Sequence, residues 1–218
     1  MLMDIISLMW WFALFHCAFI GFVAVLFIYA KRHTSYRYSS LPSGNSSIRL
    51  LRLMPDRDPE ADIHCQLFNY SLRSRQGDRQ RSHLYEALSY VWGDPTETSA
   101  IYIDNQLVSV TKNLHSALLH LRNHALERVL WIDAICIDQA NREEKQQQIQ
   151  LMANIYTSAD RVIVWLGEDA DDSQQALEDI RVAANEESVH TMYSNQRIIA
   201  LLRRPWFCLL YTSDAADE

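Results

Sequence analysis

The chain has 218 residues, 49% of them hydrophobic, and a formal net charge of −7. That is enough apolar material for one domain and an appendage, and the missing basic footprint argues against nucleic acid as a partner. Four cysteines, Cys17, Cys65, Cys136 and Cys208, stand far apart with no CxxC pair, which reads as reduced cytosolic thiols rather than a disulfide frame.

Residues 5–30 hold no Asp, Glu, Lys or Arg, and Trp10, Trp11 and Tyr29 lie near the ends of the run. About 20 apolar residues cross a bilayer core, so this run predicts a single transmembrane helix as an N-terminal anchor. Lys31, Arg32 and Arg37 follow it. The positive-inside rule then leaves the folded part in the cytoplasm of a single-pass, membrane-anchored protein. A cleaved signal peptide is the rival reading, but the run is longer than the usual 7–15 residues or so and begins behind an acidic Asp4. A misassigned start codon is the other alternative. Residues 31–47, serine-rich with Pro42 and Gly44, read as a flexible linker.

Ile48–Leu53 and Ile63–Phe68 read as strands, the second with Ile63, Cys65 and Leu67 on one face. Ser71–Ser82 is polar and Arg-rich, an exposed loop. Tyr85–Tyr90 is a third strand, closed by the turn residues Gly93 and Pro95. Ile101–Ile103 and Leu107–Val110 flank Asp104-Asn105-Gln106 as a hairpin. Leu114, Ala117, Leu118 and Leu121 predict an amphipathic helix with Thr111 or Asn113 as its cap.

The organising stretch is Arg128–Gly167. Val129–Ile135 and Arg161–Leu166 are apolar on both faces, as in strands buried inside a parallel sheet. Between them Asn141 caps a helix, and Glu144 stands at the third helical position to complete a capping-box-like pair. Ile149, Met152, Ala153 and Tyr156 supply the buried stripe. Strand, helix, strand predicts a right-handed βαβ unit, followed by a helix capped by Ser173 and a short last one near 195–203. Ligands of open parallel sheets bind beyond the carboxyl ends of the strands, and that is where the candidates cluster.

Trp92, Gly93 and Asp94 leave one strand end. There the indole can stack on a base or nicotinamide ring while Asp94 accepts a ribose hydroxyl; a packed turn, with Trp92 in the core and Asp94 capping it, is the plainer alternative. Asp133 lies in an apolar strand, where an unpaired carboxylate is costly, so it either pairs, with Arg161 for instance, or faces the site. Asp138 and Gln139 follow on a loop at the sheet edge. Cys136 reads as a small buried hydrophobe rather than a nucleophile. Glu168, Asp169, Asp171 and Asp172 suit a helix dipole better than a cation. His120 and His124 lack the glutamate of a zinc-protease helix, and no metal site is expected. The phosphate-binding P-loop, GxSxG elbow and GxGxxG fingerprint are all absent.

Three blocks carry a family pattern: Tyr85-Glu-Ala-Leu-Ser-Tyr-Val-Trp-Gly-Asp94, Leu130-Trp-Ile-Asp-Ala-Ile-Cys-Ile-Asp-Gln139, and Met152 to Tyr156 with Ala159 and Val162-Ile-Val-Trp-Leu-Gly167. Together they resemble the heterokaryon incompatibility (HET) domain of filamentous fungi, over residues 48–207, with Ile48–Leu53 as the opening strand. The resemblance implies a cytosolic module of programmed cell death or self/non-self recognition, with a protein partner or self-association. HET domains look like distant relatives of Toll/interleukin receptor (TIR) domains, some of which cleave NAD. The implied fold is α/β: a mostly parallel, TIR/flavodoxin-like sheet flanked by helices, with an added N-terminal β-hairpin region. NAD is the implied substrate, with no other cofactor, although fold analogy does not establish chemistry.

One departure stands out. The family's next block looks like Arg-Pro-Trp-Phe followed by Arg, Trp and a Gln-Glu pair, whereas here Arg204-Pro-Trp-Phe207 runs into Cys208–Glu218, which shares nothing with it. Residues 208–218 therefore read as a non-family tail on a domain incomplete at its C-terminus. An enzymatic reading lacks its glutamate, and Glu218 is no substitute. A non-enzymatic self-association module, or an inert fragment, is the alternative.

Overall fold

Short β-branched and aromatic runs bounded by turn residues become strands. A computed structural model describes residues 36–42, 46–72, 83–185 and 195–207. Its elements are β1 (Ser47–Leu53), β2 (His64–Ser71), β3 (His83–Tyr90), β4 (Thr98–Ile103) and β5 (Gln106–Thr111). There follow α1 (Lys112–Leu121), β6 (Arg128–Trp131), α2 (Asp133–Cys136), α3 (Arg142–Ser158), β7 (Ala159–Trp165), α4 (Ser173–Asn185) and α5 (Asn195–Leu202).

The strands form a seven-stranded sheet in the order β5-β4-β2-β1-β6-β3-β7. It is mixed rather than mostly parallel. β1 runs antiparallel to both β2 and β6, and β4 to β5, while β2/β4, β3/β6 and β3/β7 are parallel. The connections dictate this. Residues 54–63 are too few for a crossover, which needs about a dozen residues or more, so β2 folds straight back on β1. Asp104 and Asn105 both take positive φ, 49° and 62°, the two-residue turn that matches strand twist and closes β4 on β5. The expectation of a mostly parallel, TIR/flavodoxin-like sheet is thereby corrected: parallel pairing is confined to β6-β3-β7 and the short β2/β4 contact.

The transmembrane expectation is corrected as well. No helix among the described residues is long and apolar enough to cross a membrane, and residues 5–30 lie outside the described residues, as do 31–35 of the linker. Single-pass anchoring, and with it a membrane partner, has no support in the structure.

Side chains alternate across a sheet, so register assigns faces. Tyr85 and Trp131 share one face, and α3 covers it: the Tyr85 hydroxyl donates to the carbonyl of Ile155 (2.5 Å), and the Trp131 ring meets Tyr156 edge-on. Trp165, in register with Tyr90, points to the other face and to α1. Leu114, Ala117 and Leu118 bury the inner side of α1, each leucine stabilising by about 1.5–3 kcal/mol. Thr111 caps that helix, its hydroxyl accepting the Leu114 amide at 3.4 Å.

Two local expectations shift. β6 ends at Trp131, and Asp133–Cys136 curls into a helical turn in place of a strand to Ile135, because the Asp133 carboxylate takes its neighbour's amide, Ala134 N–H, at 2.7 Å. The buried positions of α3 are Gln148 and Ile155, with Leu151, Met152 and Tyr156 half-buried, whereas Ile149 and Ala153 face solvent. Gln148 is buried because its Nε2 donates to the carbonyl of Ser47, at 2.9 Å.

Candidate functional site

Because β3, β6 and β7 are parallel, their carboxyl ends open on one edge. β3 delivers Val91 to Asp94 there, β6 delivers Ile132 to Gln139, and β7 delivers Leu166 to Asp169.

The structure brings Trp92, Asp133 and Gln139 together. The indole Nε1–H of Trp92 donates to Oδ2 of Asp133 at 2.8 Å, while the side chain is 44% exposed. Gln139 Nε2 donates to the Asp133 carbonyl at 2.9 Å, and its Oε1 is buried with no partner among the described residues. Burial pushes the Asp133 carboxyl above its usual range, against the hydrogen bonds from Trp92 and Ala134. Arg161 is not its partner: that guanidinium, with Arg128, pairs with Glu86. Glu86 sits on β3 between Leu130 of β6 and Arg161 of β7. The Tyr90 hydroxyl is a second buried polar atom with no partner among the described residues.

Asp94 and Asp138 instead serve their own turns. Oδ1 of Asp94 accepts the Thr96 amide at 2.8 Å and the Thr96 hydroxyl at 2.6 Å, bonds that hold this exposed carboxyl below its usual range. Oδ1 of Asp138 accepts the Ala140 amide at 3.0 Å. Gly93 has φ +81°, and a Cβ there would lie 3.3 Å from Cβ of Asn113, so glycine is what the turn needs. Cys136 is fully buried and its thiol is pushed up to about 12 by desolvation, which removes the thiolate a nucleophile requires.

Several contacts at this edge escape sequence reasoning. Asn113 donates to the Val91 carbonyl (2.5 Å) and accepts from Trp165 Nε1 (2.9 Å), tying the ends of β3 and β7 together. Glu168 meets the Ser116 hydroxyl and lies 3.8 Å from His120 Nε2, whose ring packs on Trp165. Arg204 donates to the carbonyls of Leu166, Glu168 and Ala170, and Trp206 Nε1 to the Ser89 hydroxyl (3.0 Å). The Arg204-Pro-Trp-Phe207 block therefore fastens the loop after β7. Its motif character was the one available signal; Asn113 reads only as a helix cap.

A cleft of about 470 Å³ lies elsewhere, between residues 56–59 and the end of α1, lined by Arg57, Leu119, His120 and His124 among others. α1 starts at the candidate edge, under Val91, and ends beside the cleft, where Arg122 donates to the carbonyls of Asp58, Pro59, Ala61 and Asp62. None of the six candidate residues lines the cleft, which is open surface; the convergence of polar groups on Trp92 is the better guide to a site.

The family described as "Heterokaryon incompatibility protein (HET)" matches residues 85–213, from β3 onward. Heterokaryon incompatibility protein 6, OR allele, of Neurospora crassa is 36% identical over 157 residues, which take in 66% of this chain and 22% of that protein. The chain thus spans about 22% of the relative's length. No solved structure matches it. The two matches support an incompatibility-related function, and the family match takes in the three blocks that build the edge just described. The chain belongs to the heterokaryon incompatibility protein (HET) family.

Proposed function

We propose that this chain is a recognition and death-signalling module of heterokaryon incompatibility, and that it works by taking a nicotinamide dinucleotide at the carboxyl edge of β6-β3-β7. One observation carries the reading: Trp92 presents an exposed indole held in place by Asp133, whose carbonyl holds Gln139, and the Oε1 of Gln139 has no partner among the described residues. A fixed, exposed aromatic face suits stacking on a planar base, and adjacent polar groups supply orientation. Asp94 and Asp138, one oxygen of each held by a turn, line the rim. Cleavage would transfer the ADP-ribosyl carbon from nicotinamide to water. Titration with NAD tests the reading: tryptophan fluorescence should quench saturably, and Trp92→Ala should abolish the quench. Absence of quenching in the unaltered chain would sink it, and nicotinamide release measured in parallel separates binding from cleavage.

A second reading, a non-enzymatic module that signals by self-association, is favoured by β7. That strand pairs only with β3 among the described residues, and Val162 and Val164 stand exposed on it, a geometry that invites strand pairing with another copy. Sedimentation velocity across a concentration series would show the dimer.

A further inference from the structure

The candidate edge is held from below by residues that lie upstream of the family match. Arg49 on β1 is 2% exposed. Its guanidinium forks onto Glu144, Nη1 to Oε1 at 2.5 Å and Nη2 to Oε2 at 3.0 Å. The same two nitrogens donate to the carbonyls of Cys136 (3.3 Å) and Ser39 (2.6 Å). Glu144 does not close a capping box on Asn141; its Oε1 accepts the amide of Asp138 at 2.9 Å. Above Arg49 lies the Tyr38 ring, 4.9 Å from the guanidinium carbon, and the Tyr38 hydroxyl donates to the Ile135 carbonyl at 2.9 Å. Tyr36, the other end of this strap, donates to Asp104 at 2.6 Å in the β4–β5 turn.

The backbone from Ile135 to Asp138 is thus gripped at Ile135 by Tyr38, at Cys136 by Arg49, and at Asp138 by Glu144. Those grips lead directly into Gln139, whose amide in turn holds Asp133. A planar guanidinium fork fixes orientation as well as distance. An apolar pair of equal volume would serve stability equally well, so the ion pair's distinctive product is one defined path for the 135–139 backbone.

The geometry points to Tyr38, Arg49 and Glu144 as positioning residues that set the Gln139 side of the candidate site, so that the strap 36–40 is mechanically coupled to that site. The ligand side of this inference rests on the proposed function; the conformational side does not. The test is amide hydrogen exchange on the chain with Tyr38→Phe, which removes only the hydroxyl donor, and with Glu144→Gln, which removes the charge. Both should speed exchange across 135–141, with roughly a tenfold rise at the Asp138 amide in Glu144→Gln from the loss of a charge-assisted bond, while β3 amides keep their native protection. The Kd for NAD should rise in step. Unchanged exchange at 135–141 in Tyr38→Phe, or a rise shared equally by β3 in either variant, would overturn the inference. Should Glu144→Gln fail to fold, Tyr38→Phe decides alone. Failure of NAD to bind the unaltered chain would remove the proposed function and leave the exchange result standing.

Discussion

At the α3 end of the segment that leaves β6, Glu144 receives a guanidinium fork from Arg49; at the β6 end, Asp133 receives the indole N–H of Trp92 and the amide of Ala134, and no guanidinium among the described residues. The two half-buried carboxylates shift in opposite directions. Burial raises both, but the Arg49 bonds and the Asp138 amide bring Glu144 below its ordinary value, whereas the neutral donors around Asp133 and the charge of Lys145 leave it above. The comparison separates two uses of a buried acid. Glu144 is a structural group whose charge is fully compensated. Asp133 is a group whose charge is under-compensated beside an exposed aromatic ring, and such groups mark sites more often than scaffolds.

The largest effect should come from breaking the compensated side. Arg49→Met strands Glu144 without its cation and should cost about 3–5 kcal/mol in urea denaturation. Adding Glu144→Leu should restore most of it, since replacing both partners by apolar groups is close to neutral. The pH dependence has a definite sign. Glu144 has a lowered native pKa, so its contribution is present above about pH 4.5, the unfolded value, and is lost as pH falls through the native value. Arg49→Met should show that acid limb diminished. A double variant as unstable as the single one would mean that the fork is not what Glu144 needs.

Next in size is the turn that presents Trp92. Gly93→Ala places a Cβ at φ +81° and 3.3 Å from Asn113, and should cost about 1–2 kcal/mol for the left-handed backbone alone. It should also weaken the NAD-induced quench, because Trp92 is the preceding residue. A smaller loss, about 1 kcal/mol, is expected for Asn141→Ala, which removes the side-chain acceptor of the Glu144 amide at 3.1 Å. Comparing these two variants by denaturation and NAD titration sharpens the contrast, since only the first touches the presenting turn.

Asn141 also shows what sequence alone can reveal. A cap, a hairpin around Asp104-Asn105-Gln106 and the strand at β3 are local signals, and all were legible, although the turn itself is one residue shorter than expected. The partner of Glu144 was not, because Arg49 is 95 residues away and an arginine inside Ile48-Arg49-Leu50 reads as the solvent side of a strand. The apolar run of β7 marks a strand, but nothing local says that it will stand at the end of the sheet with Val162 exposed. The mixed character of the sheet was hidden for the same reason: β1 finds β6 across the whole β2–β5 region. Of the candidate site, the ends of β3 and β7 were readable from the sequence pattern, while β6 stops at Trp131 rather than Ile135, and Asn113, Arg204 and Trp206, which bind those ends together, act only through long-range contacts.

The smallest and most informative change is Asp133→Asn. Asparagine keeps one acceptor oxygen where the carboxylate uses two, so it removes the ionisation together with one of the bonds from Trp92 and Ala134. Because the native pKa of Asp133 is raised above its ordinary value of 3.8, its favourable contribution is present below pH 3.8 and is lost as pH rises through the native value. At neutral pH the asparagine variant should therefore be the more stable protein, and the difference should vanish as pH falls below 3.8. Urea midpoints at neutral and acid pH measure this directly. A variant less stable than the parent at neutral pH would mean that the Asp133 charge is satisfied within the fold, and the edge would lose its claim to hold an under-compensated acid. If instead the variant is more stable but no longer quenched by NAD, then the charge destabilises the free domain and is kept for what binds there.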